Sequence, residues 1–285
     1  MDITADNQEG GKGYWSMTEG VFNCLIDTKR SLAFREALKN TIKKGDIVVD
    51  MGTGSGLLAM LAVDAGADKV YAVEIDEKNI LNLSKTFAEN NYSDKIEIIE
   101  GDVTKISLPE KVDVIVGEMI ATGLIEELQI PAMNNILKYA KEDVRVVLNQ
   151  FANYIDLVSN QDIFYTHSFP IIRYEYPDFP ELISQPYSEK YLYKLVNFSI
   201  PILDSKIDFS TTLRVTKSGT INGLRISNET IFSDGSKLDF SFAYSYPIIL
   251  PIKKITVEEG DTISIKLSYV MCEGFNNLHY EVIKI

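Results

Sequence analysis

The chain has 285 residues, 45% of them hydrophobic, 10% aromatic and 24% charged, with a formal net charge of -13. That apolar content excludes disordered, collagenous and low-complexity chains, because enough surface can be buried to offset the entropy of ordering. The acidity argues against a nucleic-acid partner, whose phosphates are bound by Lys and Arg, and suits either a cationic substrate or a merely solvated surface. In chain order, the start MDITADNQEG lacks the basic and apolar regions of a signal peptide. Short β-branched runs at 47–50, 70–74, 96–100, 113–118 and 144–149 read as strands buried on both faces. Helical patterns at 31–42, 56–66, 77–91 and 126–140 alternate with them, the last broken by Pro131. Such alternation predicts parallel βαβ units with right-handed crossovers.

After Phe151 the pattern becomes strand-only, with runs at 162–169, 190–200, 208–219, 220–228, 261–271 and 278–285. Turn signals stand at 233–236 (SDGS) and 258–261 (EEGD), and the Pro- and aromatic-rich stretch 174–190 reads as a loop or short arm. The expected fold is therefore a Rossmann-like α/β domain over 1–150 followed by an antiparallel β-sandwich or barrel domain over 151–285. No run reaches the length of a membrane span, so a cytoplasmic protein is expected. Cys24 and Cys272 lack CxxC spacing, which points away from a disulfide framework or a zinc site. His167 and His279 fall in predicted strands and read as structural.

Chemistry concentrates in the first half. Asp50, Gly52, Gly54 and Gly56 form an acid-led GxGxG turn between a predicted strand and a predicted helix. Glycines let backbone approach a ligand there, at the carboxyl end of a strand where open α/β sheets bind. The spacing is not the GxGxxG of dinucleotide sites, and the acid would suit an ammonium better than a pyrophosphate. Glu74 ends the next strand, where a carboxylate can accept from both hydroxyls of a ribose. Asp102 and Val103 follow the third strand, where an adenine edge could sit. Together these residues read as an S-adenosylmethionine site.

Glu118 leaves the fourth strand, and Glu127 comes nine residues later (127 − 118), close enough for a loop to turn both toward one site. Two facing carboxylates are unfavourable unless a cation lies between them, and a guanidinium meets that demand. The plainer reading is that Glu126 and Glu127 open a helix, where acids favour the macrodipole. That reading suffices for Glu126 and stays open for Glu127. The (D/N/S)PP(Y/F) tetrapeptide of base-amine methylases is absent after this strand, where Gly117-Glu118-Met119-Ile120 stands instead.

On these residues the chain resembles the class I S-adenosylmethionine-dependent methyltransferases, and among them the protein arginine methyltransferase family. VVDMGTGSGLLAMLAVDAGADKVYAVEID resembles the family's first two motifs, and KVDVIVGEMIATGLIEE its double-glutamate loop. LIDTKRSLAFREAL resembles the helix before the first strand, which implies that Arg30 clamps the cofactor's carboxylate. PIKKITVEEGDTISIKLSYVMCEGFNNLHYEVIKI resembles the closing barrel strands. The resemblance implies N-methylation of a guanidino or similar cationic nitrogen, on a protein or a small molecule, and a homodimer. Glu118 and Glu127 would be catalytic, and Asp50, Gly52, Gly54, Gly56, Glu74, Asp102 and Val103 would bind cofactor. The family's Thr-His-Trp, whose His supports the active site, is replaced by Phe242-Ala243-Tyr244. Tyr14 and Trp15 could cover the cofactor or merely pack the N-terminal segment. Alternative readings are a methyltransferase acting on RNA or another nucleophile, and a catalytically decayed cofactor-binding partner.

Overall fold

A computed structural model describes residues 18–285, so Tyr14 and Trp15 lie outside the described residues. Two helices, α1 (Thr18–Ile26) and α2 (Thr28–Thr41), precede the first strand. Sequence reading finds only the second, starting at Ser31. Asp27 separates them and caps α2, its carboxylate accepting from the Arg30 N–H at 2.9 Å. Phe34, Ala37, Leu38 and Thr41 then recur at helical spacing and are buried. Next come β1 (Ile47–Met51), α3 (Leu57–Asp64), β2 (Lys69–Glu74), α4 (Glu77–Glu89), β3 (Ile96–Glu100) and β4 (Val112–Gly117). After them follow α5 (Gln129–Ile136) and β5 (Ala140–Val146).

The five strands pair in parallel in the order β3-β2-β1-β4-β5. The order reverses between β1 and β4, and ligands in such sheets sit at the carboxyl ends beside that reversal. Val48, Val49, Val70, Val73, Val114 and Ile115 are fully buried, as a sheet covered on both faces requires. Pro131 does not break α5. It stands in the first turn, where no intrahelical N–H is needed.

The run 144–149 is not one strand. It straddles the end of β5 and the start of β6 (Leu148–Ser159), with Val147 alone between them. The Val147 N–H donates to the Ile115 carbonyl at 2.9 Å, and its own carbonyl accepts from Ser233 N–H at 3.0 Å. A continuous apolar run hides this break, because both strands are buried there.

The antiparallel part continues with β7 (Ile163–Phe164), β8 (His167–Ser168), β9 (Arg173–Tyr174), β10 (Gln185–Pro186) and β11 (Tyr191–Asn197). Then come β12 (Lys206–Arg214), β13 (Gly219–Phe232), β14 (Lys237–Leu238), β15 (Ile248–Val257), β16 (Thr262–Val270) and β17 (His279–Lys284). The run 162–169 is a small hairpin, turning through Tyr165 and Thr166 at positive φ. One large sheet runs β10-β6-β13-β15-β9, with β11 on β6 and β14 on β13, and a second runs β12-β16-β17. Among the described residues no closed barrel forms, which corrects that half of the expectation. The ladder stops between β11 and β12, where the connection contains Pro201 and its missing N–H. Side chains join the sheets instead: Tyr193 and Tyr269 hydroxyls lie 2.7 Å apart, and Tyr280 OH donates to the Pro251 carbonyl at 2.7 Å. His167 and His279 are both exposed. Among the described residues no helix is long and apolar enough to cross a membrane.

Candidate active site

The glycine loop is built from β1 outward. Asp50 is 1% exposed, and its Oδ2 accepts from Thr53 Oγ1 at 2.6 Å. Its other oxygen, Oδ1, is buried without a partner. Burial pushes the carboxyl up to about 6, against the Thr53 hydroxyl, the charge of Arg30 and the more distant Ala59 backbone N–H, which pull it down. Gly56 (φ +79) opens α3 where a Cβ would come 2.6 Å from the Phe87 ring, so α4 packs on the loop only because that position is glycine.

Glu74, 8% exposed, is a hub for the same loop. Its Oε2 accepts from Gly54 N–H at 3.1 Å and Asn79 Nδ2 at 2.9 Å, and its Oε1 from the N–H groups of Ile75 and Asp76 at 2.9 and 3.0 Å. A ribose binding there would therefore exchange with bonds the chain already makes. Asp102 accepts from Thr104 N–H at 2.9 Å, Thr104 Oγ1 at 2.7 Å and Lys105 Nζ at 2.7 Å. Partial burial would raise its carboxyl, but the Lys105 and Thr104 bonds win and hold it below the ordinary range. The Val103 side chain is buried, and its carbonyl accepts from Asn135 Nδ2 at 2.9 Å.

On the other side of the reversal β4 delivers Glu118. Its Oε2 receives Arg30 Nη2 at 2.8 Å and Arg30 Nε at 3.0 Å, with both side chains at least 95% buried (5% and 3% exposed). Burial would strip the guanidinium of its proton, but Glu118 outweighs it and raises the Arg30 pKa. Arg30, expected to clamp a ligand carboxylate, is thus already paired within the chain. Its guanidinium also lies 5.0 Å from the centre of the Phe34 ring. Cys24 Sγ stands 3.9 Å from Glu118 Oε2, and burial, then Glu118, push this thiol up to about 12, so it stays protonated and unreactive at neutral pH.

Glu127 returns to the same place. Burial and then the Glu118 charge raise its carboxyl well above the ordinary range, with Glu126 adding and Arg30 opposing. The structure thus brings both glutamates together. Among the described residues no hydrogen bond reaches the Glu127 carboxyl. Its backbone is left-handed (φ 56), as are Gly123 (φ 70) and Leu124 (φ 52). Non-glycine residues in that region cost about 1–3 kcal/mol each and persist only where surroundings hold them. The helix-opening reading fails for both acids: α5 begins at Gln129, after them, with no acid in its first turn. Glu126 instead accepts from Tyr174 OH at 2.8 Å, beside an edge-packed cluster of Tyr174, Tyr176 and Tyr246. Met119 lies over the loop, its Sδ 3.0 Å from where a Cβ on Gly52 would be.

Sequence reasoning misses the residues behind this pair. Asp27 is 2% exposed and accepts from Ser241 Oγ at 2.7 Å as well as from the Arg30 backbone. The Tyr244 hydroxyl lies 3.1 Å from Thr230 Oγ1, and its pKa is raised by burial and then by Glu118. So Ser241 and Tyr244 fill the region where the resemblance expects a histidine. The N-cap pattern beginning at Asp27 was a legible signal; the Ser241 contact, 214 residues away, was not.

The residues fit an aminoacyl nucleoside. A loop with three left-handed glycines, a buried carboxylate oxygen without a partner and an acid on the neighbouring strand lie along one edge of the sheet. The family model for ribosomal protein L11 methyltransferase matches residues 28–148. An uncharacterized protein of Methanocaldococcus jannaschii is 31% identical over 254 residues, 87% of this chain and 90% of its own length. The histone-arginine methyltransferase CARMER of Anopheles gambiae is 36% identical over 134 residues, 46% of this chain but 21% of that protein. Two solved structures share the fold. One is the Trypanosoma brucei PRMT1 enzyme–prozyme heterotetrameric complex with AdoHcy, with a TM-score of 0.75 at 17% identity over 93% of this chain and 96% of that one. The other is Arabidopsis thaliana protein arginine methyltransferase 10, with a TM-score of 0.74 at 18% identity over 93% and 97%. With the acid-led glycine loop at the carboxyl edge of β1, a methyltransferase family model over residues 28–148 and a near full-length relative, the chain belongs to the class I S-adenosylmethionine-dependent methyltransferases, with the fold seen in protein arginine methyltransferases.

Proposed function

We propose that this chain transfers a methyl group to a guanidino or similarly cationic nitrogen of a protein or small molecule. The observation that carries the reading is the pairing of unlike glutamates: Glu118 is already neutralised by Arg30 at 2.8 Å, while Glu127 is left with a raised pKa beside it. A guanidinium entering there supplies the positive charge that Glu127 lacks and lets its carboxyl ionise. The planar fork of donors then fixes which nitrogen faces the glycine loop. S-adenosylmethionine, when bound, supplies an electrophilic methyl on a sulfonium. Asp50 Oδ1 would take its ammonium, Glu74 its ribose, and the Gly52–Gly56 backbone would lie against it. Asp102 and Val103 would border the adenine. No protein nucleophile is needed; alignment of the acceptor nitrogen by Glu118 and Glu127 is what accelerates an in-line displacement. Burial of the Glu118 side chain, 3% exposed, shields its side of that alignment from water.

A catalytically decayed partner is the second reading, favoured by the replacement of the family's histidine segment by Phe242-Ala243-Tyr244. Ser241 supplies a hydroxyl to the acid at that place, which favours the first. Transfer of label from S-adenosylmethionine to an arginine-containing peptide and to free arginine separates the two. With Glu127→Gln, turnover falls about 100-fold or more while S-adenosylhomocysteine affinity by calorimetry stays within about 3-fold. Loss of cofactor affinity with unchanged turnover per bound site would make Glu127 a structural residue and remove the support for a guanidino acceptor.

A further inference from the structure

The base of the glutamate hairpin is closed from within, Met119 N–H donating to Gln129 Oε1 at 2.9 Å and Ile120 N–H to Glu118 Oε1 at 3.2 Å, but its tip is held mainly from outside. Two hydrogen bonds tie Ala121–Ile125 internally, Leu124 N–H to the Ala121 carbonyl at 2.8 Å and Ile125 N–H to the Thr122 carbonyl at 3.4 Å. Four successive residues are instead gripped from the antiparallel sheets. Thr122 Oγ1 donates to the Tyr246 carbonyl at 2.6 Å. The Gly123 carbonyl accepts from Tyr269 OH at 2.6 Å, and the Leu124 and Ile125 carbonyls accept from Cys272 N–H at 2.7 Å and Gly274 N–H at 2.8 Å. Three of the four grips come from the end of β16 and the turn after it. That turn runs through Cys272 (φ 65) and Gly274 (φ 81), a left-handed course that aims its amides at the hairpin.

Tyr269 is 2% exposed and sits on the middle strand of its sheet, opposite Ile207. A phenol has one proton, and that of Tyr269 goes to Gly123, so Tyr193 OH must donate to the Tyr269 oxygen. Tyr193 in turn is stacked on Phe209, ring centres 5.2 Å apart and 7° from parallel. The Tyr269 proton is therefore committed to Gly123 and its ring is fixed by burial on the middle strand, while Tyr193 bonds the phenol oxygen without touching the hairpin. On the far side of Gly123 the chain runs through Leu124 into Glu127, all three left-handed.

We propose that Tyr269 is a positioning residue for the methyl-transfer site. Through the Gly123 carbonyl it holds the hairpin in the turn that carries Glu127 back to Glu118. The catalytic consequence rests on the guanidino-acceptor reading above; the clamp itself does not. Hydrogen exchange of the full chain, read over 118–128, compares wild type, Tyr269→Phe and Tyr193→Phe. Both variants lose one buried hydroxyl, but only the first loses a bond to the hairpin. Tyr269→Phe speeds exchange there about 10-fold, while Tyr193→Phe stays within about 2-fold of wild type. With labelled S-adenosylmethionine and an arginine-containing peptide, Tyr269→Phe lowers kcat about 10-fold and leaves peptide KM and S-adenosylhomocysteine affinity within about 3-fold. Equal exchange in wild type and Tyr269→Phe, or equal opening in both variants, overturns the clamp. A wild type that binds no S-adenosylhomocysteine overturns the cofactor reading instead, and the exchange comparison still decides the clamp.

Discussion

Replacing Asp50 by Asn makes the unliganded chain more tolerant of alkaline pH while weakening its hold on cofactor. The carboxyl is buried, one oxygen has no partner, and its pKa is raised from 3.8 to about 6. Below pH 3.8 folded and unfolded chains are both protonated and the native state keeps its full stability. Between 3.8 and about 6 the unfolded chain releases the proton and the folded chain does not, so stability falls as pH rises. Above about 6 the loss is complete, on the order of 3 kcal/mol at ~1.4 kcal/mol per unit. Asn does not ionise and escapes this loss. Its own cost, an amide group left unpaired where Oδ1 was, does not vary with pH and cancels between conditions. Urea unfolding at pH 4.5 and 8 should therefore show the variant-minus-wild-type difference moving by about 2 kcal/mol in the variant's favour. The same substitution should weaken S-adenosylhomocysteine binding about 10- to 100-fold, the worth of one charge-assisted hydrogen bond. A stability difference that stays flat with pH, or moves against the variant, would refute the burial argument.

Arg30→Met should destabilise the chain by about 3–5 kcal/mol, because Glu118 is then left buried and unpaired beside Glu127. Urea denaturation measures the loss, and a stability within about 1 kcal/mol of wild type would mean the guanidinium serves another group. Binding of an arginine-containing peptide should release a proton, since the incoming cation favours ionised Glu127. Calorimetry in buffers of different ionisation enthalpy reads this directly, and identical heats would count against a guanidino acceptor.

The parallel sheet was readable because its strands are buried on both faces, leaving short β-branched runs such as Val48–Asp50 and Val70–Glu74 bounded by turn residues. The same property hid the junction at Val147: two buried strands in succession look like one apolar run. Pro131 misled because only its position in the helix, not its presence, decides whether it breaks one. The glutamate pair was legible from its spacing and from the resemblance. What surrounds the pair was not. Ser241 reaches Asp27, and Tyr269 reaches Gly123, across 214 and 146 residues, and nothing local in a strand pattern marks a tyrosine as aimed at a distant carbonyl. The barrel expectation erred because alternation predicts strands but says nothing about whether their outer edges meet.

With Val147 as its whole linker, hydrogen-bonded on both sides, the parallel sheet passes into β6 without slack. A tilt of one half against the other at this splice would have to break one of those two bonds. On the function proposed above, the width of the opening offered to an acceptor is then set by covalent lengths rather than by a soft boundary. Selectivity would be altered by exchanging the side chains that border the gap, much as a fixed wrench is changed by filing its faces.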